Sequence, residues 1–206
     1  QLTGEEASID PGDVVAVVGT GVMGYQCAQL AALQGAGRVI VTDVDPEKLA
    51  IAEDRGLTAV NAAETDPVER ILTATDGIGA DVVFEAVGGT QSDATGGREP
   101  LAQAFAAARP GGRVVQVGYI IGEVSVHPRR LRSKSVDWIN PTTGVTAYTP
   151  NATTGEHVAE LVADDRVSIT EYVTHELDGL ERFADAIDIT MNKAEHGARG
   201  PAQLVL

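Results

Sequence analysis

Three glycines, spaced as Gly19-Thr20-Gly21-Val22-Met23-Gly24, stand between an apolar β-branched run and a stretch of helical periodicity. That context turns G-x-G-x-x-G, a weak pattern alone, into an expectation of dinucleotide binding. Gly19 permits the tight turn out of a strand, Gly21 has no Cβ to hold a pyrophosphate off the backbone, and Gly24 lets the next helix pack close to a sheet. The free N–H groups of the helix start then face the anion. Asp43 follows nineteen residues after Gly24. A carboxylate there accepts hydrogen bonds from a ribose 2′-OH and repels a 2′-phosphate, which predicts NAD(H) over NADP(H). Arg38 and Lys48 lie near this acid in sequence and keep NADP(H) open, although Lys48 reads equally as a solvated helix residue. The plainer alternative is a glycine turn that binds nothing, with Asp43 a surface acid.

Such a site needs a strand before the loop, a helix after it and a second strand ending at the acid. The run Asp13 to Gly19 reads as a buried strand, and Met23, Cys27 and Leu30 mark one face of a helix closed by Gly35 and Gly37. Arg38 to Asp43 is a second strand, and Pro46 with Glu47 suits the first turn of the next helix. Thr58 to Asn61, Asp81 to Ala86 and Arg113 to Gly118 read as further strands. Between them run helices marked by Val68, Ile71, Leu72 and Thr75, and by Leu101, Phe105 and Ala108, the latter stopped at Pro110. Strands apolar on both faces, alternating with helices, predict an α/β fold: a doubly wound parallel sheet of Rossmann type. In that architecture ligands lie beyond the carboxyl ends of the strands. Ala86-Val87-Gly88-Gly89 and Val117-Gly118-Tyr119 occupy two such ends and offer small residues and free backbone groups; ordinary turns are the alternative.

After Gly118 the alternation loosens. Val136 to Ile139 reads as a sixth strand, Asn140 to Thr154 and Gln91 to Arg98 as loops, His157 to Ala163 as a helix, Leu180 to Ile187 as a last helical face and Gln203 to Leu206 as a terminal strand. The expected division is a dinucleotide-binding domain over 10–145 and a short C-terminal helical and strand extension over 146–206.

Composition bounds the function. With 206 residues, 43% hydrophobic and 22% charged, the chain suits one globular α/β domain with a small appendage. A net charge of −15 sets aside nucleic acid and anionic membranes as partners. The single cysteine, Cys27, cannot form an internal disulfide, and the default compartment is reducing, hence cytoplasmic. Cys27 falls on an apolar helix face and reads as core. The segment His127 to Lys134 is basic within an acidic chain; an anion or subunit contact and a solvated connector both fit it.

The segments PGDVVAVVGTGVMG, VIVTDVDPEKLAIAEDRG, DGIGADVVFEAVGG, RPGGRVVQVG and EYVTHELDGLERFADAIDI, in that order, resemble the cofactor-binding domain of the zinc-type medium-chain alcohol dehydrogenases. The resemblance covers nearly the whole chain. It implies NAD(P)-dependent hydride transfer between an alcohol or carbonyl substrate and nicotinamide. Carried over residue by residue, it implies cofactor contacts at Gly19, Gly21, Val22, Met23, Gly24, Asp43, Lys48, Val87, Gly118 and Tyr119. Ile139 to Pro141 fall where the family lines the nicotinamide pocket, with Asn140-Pro141 standing where many members carry Gly-Ser. The family pairs edge strands near the position of Val136 to Ile139, which implies a homo-oligomer. Zinc-free quinone and enoyl reductases of the superfamily vary the glycine motif and prefer NADPH, unlike this sequence. Short-chain dehydrogenases need Tyr-x-x-x-Lys, and none of the tyrosines here has a lysine four residues on.

The family carries its catalytic zinc and proton relay in a separate domain, before the position of Asp10. Cys27, His127, His157, His175 and His196 show no ligand spacing, so no metal ligand and no catalytic residue is expected in this chain. Two functions follow: the NAD-binding portion of an alcohol dehydrogenase, inactive alone, or a stand-alone NAD(H)-binding or sensing module.

Overall fold

A computed structural model describes residues 8–91, 99–141 and 152–206 of the chain. Its centre is a parallel sheet of six strands in the order β3-β2-β1-β4-β6-β8. These are β1 (Val14–Val18), β2 (Arg38–Asp43), β3 (Thr58–Asn61), β4 (Ala80–Glu85), β6 (Ala108–Gln116) and β8 (Asp137–Ile139). Helices α1 (Val22–Leu33), α2 (Pro46–Asp54), α3 (Pro67–Ala74), α4 (Pro100–Ala107) and α5 (Pro128–Lys134) connect them. The strand alternation sorts side chains by face. Val15, Val17, Val39, Val41, Val82 and Phe84 pack under α1 and α2. Ala16, Val18, Ile40, Val83 and Val114 pack under α3 and α4. With both faces covered, continuous apolar strands are the stable solution.

Local signals place the helices. Asp45 and Asp66 accept hydrogen bonds from first-turn N–H groups of α2 and α3, and each is followed by a proline that fixes the first turn. Helix α1 buries Gly24, Tyr25, Cys27, Ala28 and Ala31. Met23, expected on the buried face, is instead 46% exposed, because the small residues form the side that approaches the sheet. Cys27 is core as expected, and burial pushes its thiol up to about 12.

The strand expected over Arg113 to Gly118 is longer at its start. β6 begins at Ala108, directly after α4, and runs through Pro110-Gly111-Gly112. Its pairing with β4 slips between Ala80 and Val82. A Cβ on Gly112 would lie 3.0 Å from the carbonyl oxygens of Arg109 and Asp81, so the bulge passes there only without a side chain. Strands β5 (Gly89–Thr90) and β7 (Ile120–Ile121) form a further parallel pair that no sequence period announces. Much of the two expected loops, 92–98 and 142–151, lies outside the described residues, and helix α6 (Ala152–Ala163) starts earlier than the sequence suggested.

The last part of the chain carries α7 (Phe183–Met191), α8 (Lys193–His196) and a small parallel sheet of β9 (Glu176–Asp178) and β10 (Gln203–Val205). It is tied to the Rossmann body. The Gln29 amide donates to the Ser168 carbonyl (2.9 Å) and accepts from the Ser168 N–H (2.8 Å). Arg55 pairs with Asp165 at 2.8 Å and reaches Glu171 at 3.6 Å. The basic segment has one structural role: Lys134 Nζ donates to the carbonyls of Ala106 (2.7 Å) and Ala108 (2.8 Å), satisfying the end of α4. Among the described residues no helix is long and apolar enough to cross a membrane.

Candidate cofactor site

In the sheet order β1 lies between β2 and β4, so the chain leaves it in opposite directions and a crevice opens at the carboxyl ends of β1 and β4. The glycine loop occupies that point. Gly19 has φ +90°, a conformation that side chains rarely adopt. Gly21 is the N-cap of α1, and a Cβ built there meets nothing within 4 Å, so the space in front of the helix start is open. A Cβ on Gly24 would sit 1.9 Å from the Gly19 carbonyl oxygen. The three positions thus do three different things: turn, opening and close packing.

Asp43 closes the loop from the side. Its Oδ2 accepts the Thr20 N–H at 2.7 Å, while Oδ1 accepts from Val44 (2.8 Å) and Asp45 (3.0 Å). A carboxylate offers about four acceptor positions, so these three bonds leave room for a further donor. Lys48 does not reach Asp43 in this network; its Nζ lies 3.3 Å from Asp45 Oδ2.

The remaining expected contacts converge on the same crevice. A Cβ on Gly19 would touch Val87 Cγ2 at 2.5 Å, and one on Gly118 would lie 2.6 Å from the Val87 carbonyl oxygen. The Tyr119 carbonyl accepts the Gly89 N–H at 2.9 Å, and its side chain is 84% exposed. Gly19, Val87, Gly118 and Tyr119 are therefore linked neighbours. Val22 stands half-buried and Met23 exposed at the helix start. A cavity of about 630 Å³ lies elsewhere, between α3, α4 and α5, and is lined by Leu72, Phe105, Leu131 and Lys134 among others.

Two neighbours of the site escaped the sequence reading. Glu85, the last residue of β4, is fully buried; its Oε1 accepts the Val87 N–H at 2.9 Å and its Oε2 has no partner. Burial pushes its carboxyl up to about 7. A charged residue inside an apolar strand was the available signal. Tyr172 had none, since it lies 152 residues from its partner: its buried phenol donates to the Thr20 carbonyl. Its ring packs on Tyr25 with centroids 5.1 Å apart. Burial, above all, raises the Tyr172 hydroxyl well beyond the ordinary phenol range, so it stays a donor. Tyr172→Phe leaves a buried carbonyl unpaired; we expect about 1–2 kcal/mol less stability in urea titrations and weaker dinucleotide affinity. An unchanged midpoint and affinity would remove Tyr172 from the support of the loop.

A parallel sheet wound both ways from β1, with a glycine turn at the reversal, defines a Rossmann-type α/β domain. Residues 19–163 match the family described as zinc-binding dehydrogenase, and the chain belongs to that family. It is 30% identical over 191 residues to the NADP-dependent isopropanol dehydrogenase of Entamoeba histolytica, covering 92% of this chain and 50% of that protein. Against the sorbitol dehydrogenase of Bacillus subtilis it is 35% identical over 111 residues, 53% of this chain and 29% of that one. Among solved structures, alcohol dehydrogenase TADH from Thermus sp. ATN1 superposes with a TM-score of 0.76 at 29% identity, over 95% of this chain and 52% of that chain. The chain thus spans half or less of the length of these curated relatives.

Proposed function

We propose that this chain is the NAD(H)-binding portion of an alcohol dehydrogenase whose zinc lies in a separate domain. The observation that carries the reading is the grip of Asp43 on the glycine loop, beside the open front of α1. The open position at Gly21 fits a pyrophosphate, and the spare acceptor of Asp43 fits a ribose hydroxyl. A 2′-phosphate would meet that carboxylate, while the Lys48 ammonium that would attract it is already paired with Asp45. When bound, the nicotinamide supplies a hydride acceptor or donor at C4. The chain's own residues bind and orient: the N–H groups at the start of α1 hold the diphosphate, Asp43 orients the ribose, and Val87, Gly118 and Tyr119 floor the crevice.

Among the described residues no three His, Cys, Asp or Glu side chains are grouped to hold a metal ion. Residues 10–145 carry the cofactor, and residues 146–206 pack toward the zinc-bearing domain. The substrate class is a small alcohol or carbonyl. β8, the last strand in the order, offers an edge for pairing with a second copy. The surroundings are cytoplasmic. The second reading, a stand-alone NAD(H) module, shares the binding site and differs only in lacking a partner domain.

Trp138, the only tryptophan, is 44% exposed on β8. Titrating NADH and NADPH while following Trp138 quenching and sensitised NADH emission should show saturable NADH binding and much weaker NADPH binding. The 206-residue chain should oxidise no alcohol, with or without added zinc. Preferred binding of NADPH would refute the NAD assignment, and zinc-dependent turnover would refute the division of labour.

A further inference from the structure

Glu85 is an acid with no assigned task, placed where the two loops of the crevice meet. Its backbone carbonyl accepts the N–H groups of Val117 (2.7 Å) and Gly118 (2.9 Å), and its Oε1 accepts the Val87 N–H (2.9 Å). One residue therefore holds both strand ends that floor the crevice. Its Oε2 is buried without a partner, 2.7 Å from where a Cβ of Gly118 would stand. Gln91 completes the wall: its amide donates to the Val87 carbonyl and accepts the Leu101 N–H, each at 2.9 Å. Glu85 is flanked in the sheet by Val18 of β1 and Gln116 of β6, and Val87, Gln91 and Gly118 face it from the loops. None of these is charged.

Resting on the cofactor reading above, we propose that Glu85 is a positioning residue whose buried carboxyl group sets the spacing of the Val87 and Gly118 loops, and that the neutral acid holds the form that receives the nicotinamide dinucleotide. A buried carboxylate with an orphan oxygen gains free energy from water, so charging Glu85 favours loosening of the Val87 and Gly118 contacts around it. The neutral acid has no such demand. Burial is the leading cause that moves this carboxyl up from the ordinary 4.5 to about 7, opposed first by the hydrogen bond from the Val87 N–H. The raised value means that the folded protein prefers the protonated form, so the preference is fully present below 4.5 and is lost as the pH rises through about 7. Cofactor affinity follows the same direction.

The test is NADH affinity of the full chain at half-unit steps from pH 6 to 8.5, a range in which NADH itself has no titrating group. Circular dichroism at each pH records that the fold is intact. The wild-type Kd should rise about threefold to tenfold across neutrality, and the carboxyl carbon resonance of Glu85 should titrate with a midpoint that NADH moves upward. Glu85→Gln, neutral at every pH and close in shape, should bind with a flat profile near the wild-type value at pH 6. A flat wild-type profile, or a variant profile as steep as the wild type, overturns the proposal while leaving the cofactor site standing. Absence of NADH and NADPH binding at every pH overturns both. Should Glu85→Gln fail to fold, the wild-type profile and the carboxyl resonance decide the matter alone.

Discussion

Gly24→Ala should lower the unfolding midpoint by about 6–12 °C and abolish measurable dinucleotide binding, whereas Gly21→Ala should do only the second. The two glycines stand three residues apart in one motif, yet their surroundings are opposite. The new methyl at position 24 would lie 1.9 Å from the Gly19 carbonyl oxygen, a backbone atom that cannot swing aside. Helix α1 must then lift from β1, and overpacking of this kind costs about 3 kcal/mol. For a chain of this size each kcal/mol moves the midpoint by about 2–4 °C. At position 21 a methyl meets no protein atom within 4 Å, so the fold is expected to melt as the wild type does. It would nonetheless occupy the space a pyrophosphate needs. Calorimetry and NADH titration on the pair give a direct reading. Equal melting losses in the two variants would mean that both glycines serve packing, and that the open space at Gly21 has no role in binding.

Asp43→Ala should weaken NADH binding by about 10–100-fold and bring the NADH and NADPH affinities together. Part of that loss is a ribose contact and part is the loop itself. The carboxylate accepts three backbone N–H groups, and the one from Thr20 fixes the residue between Gly19 and Gly21. Hydrogen bonds to a charged group contribute about 1.5–3 kcal/mol each, so the deletion also loosens the loop. Asp43→Asn separates the two effects. Its carbonyl oxygen can keep the Val44 and Asp45 bonds, while its NH2 group faces the Thr20 N–H, donor against donor. The asparagine variant should therefore keep more stability than alanine but lose the discrimination against a 2′-phosphate. A strong NADH preference persisting in both variants would place the selectivity elsewhere in the crevice.

The elements that position these residues were legible because they depend on short-range pattern. β1 and β2 are largely apolar, β-branched runs ended by turns, and Asp45-Pro46 and Asp66-Pro67 announce α2 and α3 through capping chemistry. The glycine loop was legible because its context, strand before and helix after, is local too. What escaped depends on distance or on small numbers. The β5–β7 pair is two residues long on each strand, too short to show a period. The start of β6 was hidden by Pro110-Gly111-Gly112, which ordinarily ends structure and here makes a bulge against β4. The wrong helix face at Met23 came from ranking side chains by hydrophobicity, where closeness to the sheet was decided by Gly24, Ala28 and Ala31. Of the candidate site, Asp43 was found through its spacing from the loop. Its bonds to the loop were not, since backbone donors leave no mark in the sequence. Glu85 did carry a signal, a charge inside an apolar strand, but its bond to the Val87 N–H left no mark in the sequence.

The hydrogen bond from Tyr172 to Thr20 also has a consequence in time. The loop is made early, and the side chain that steadies it is 152 residues further along the chain. At about 5–20 residues per second of synthesis, roughly 8–30 seconds pass between the two. A nascent chain therefore carries a complete glycine motif with the Thr20 carbonyl still unclaimed and the Tyr25 ring uncovered. Closing so long a stretch of polymer is entropically slow, and contacts of this separation belong to the late part of folding. The cofactor crevice should be among the last features to mature, after the parallel strands around it are already paired.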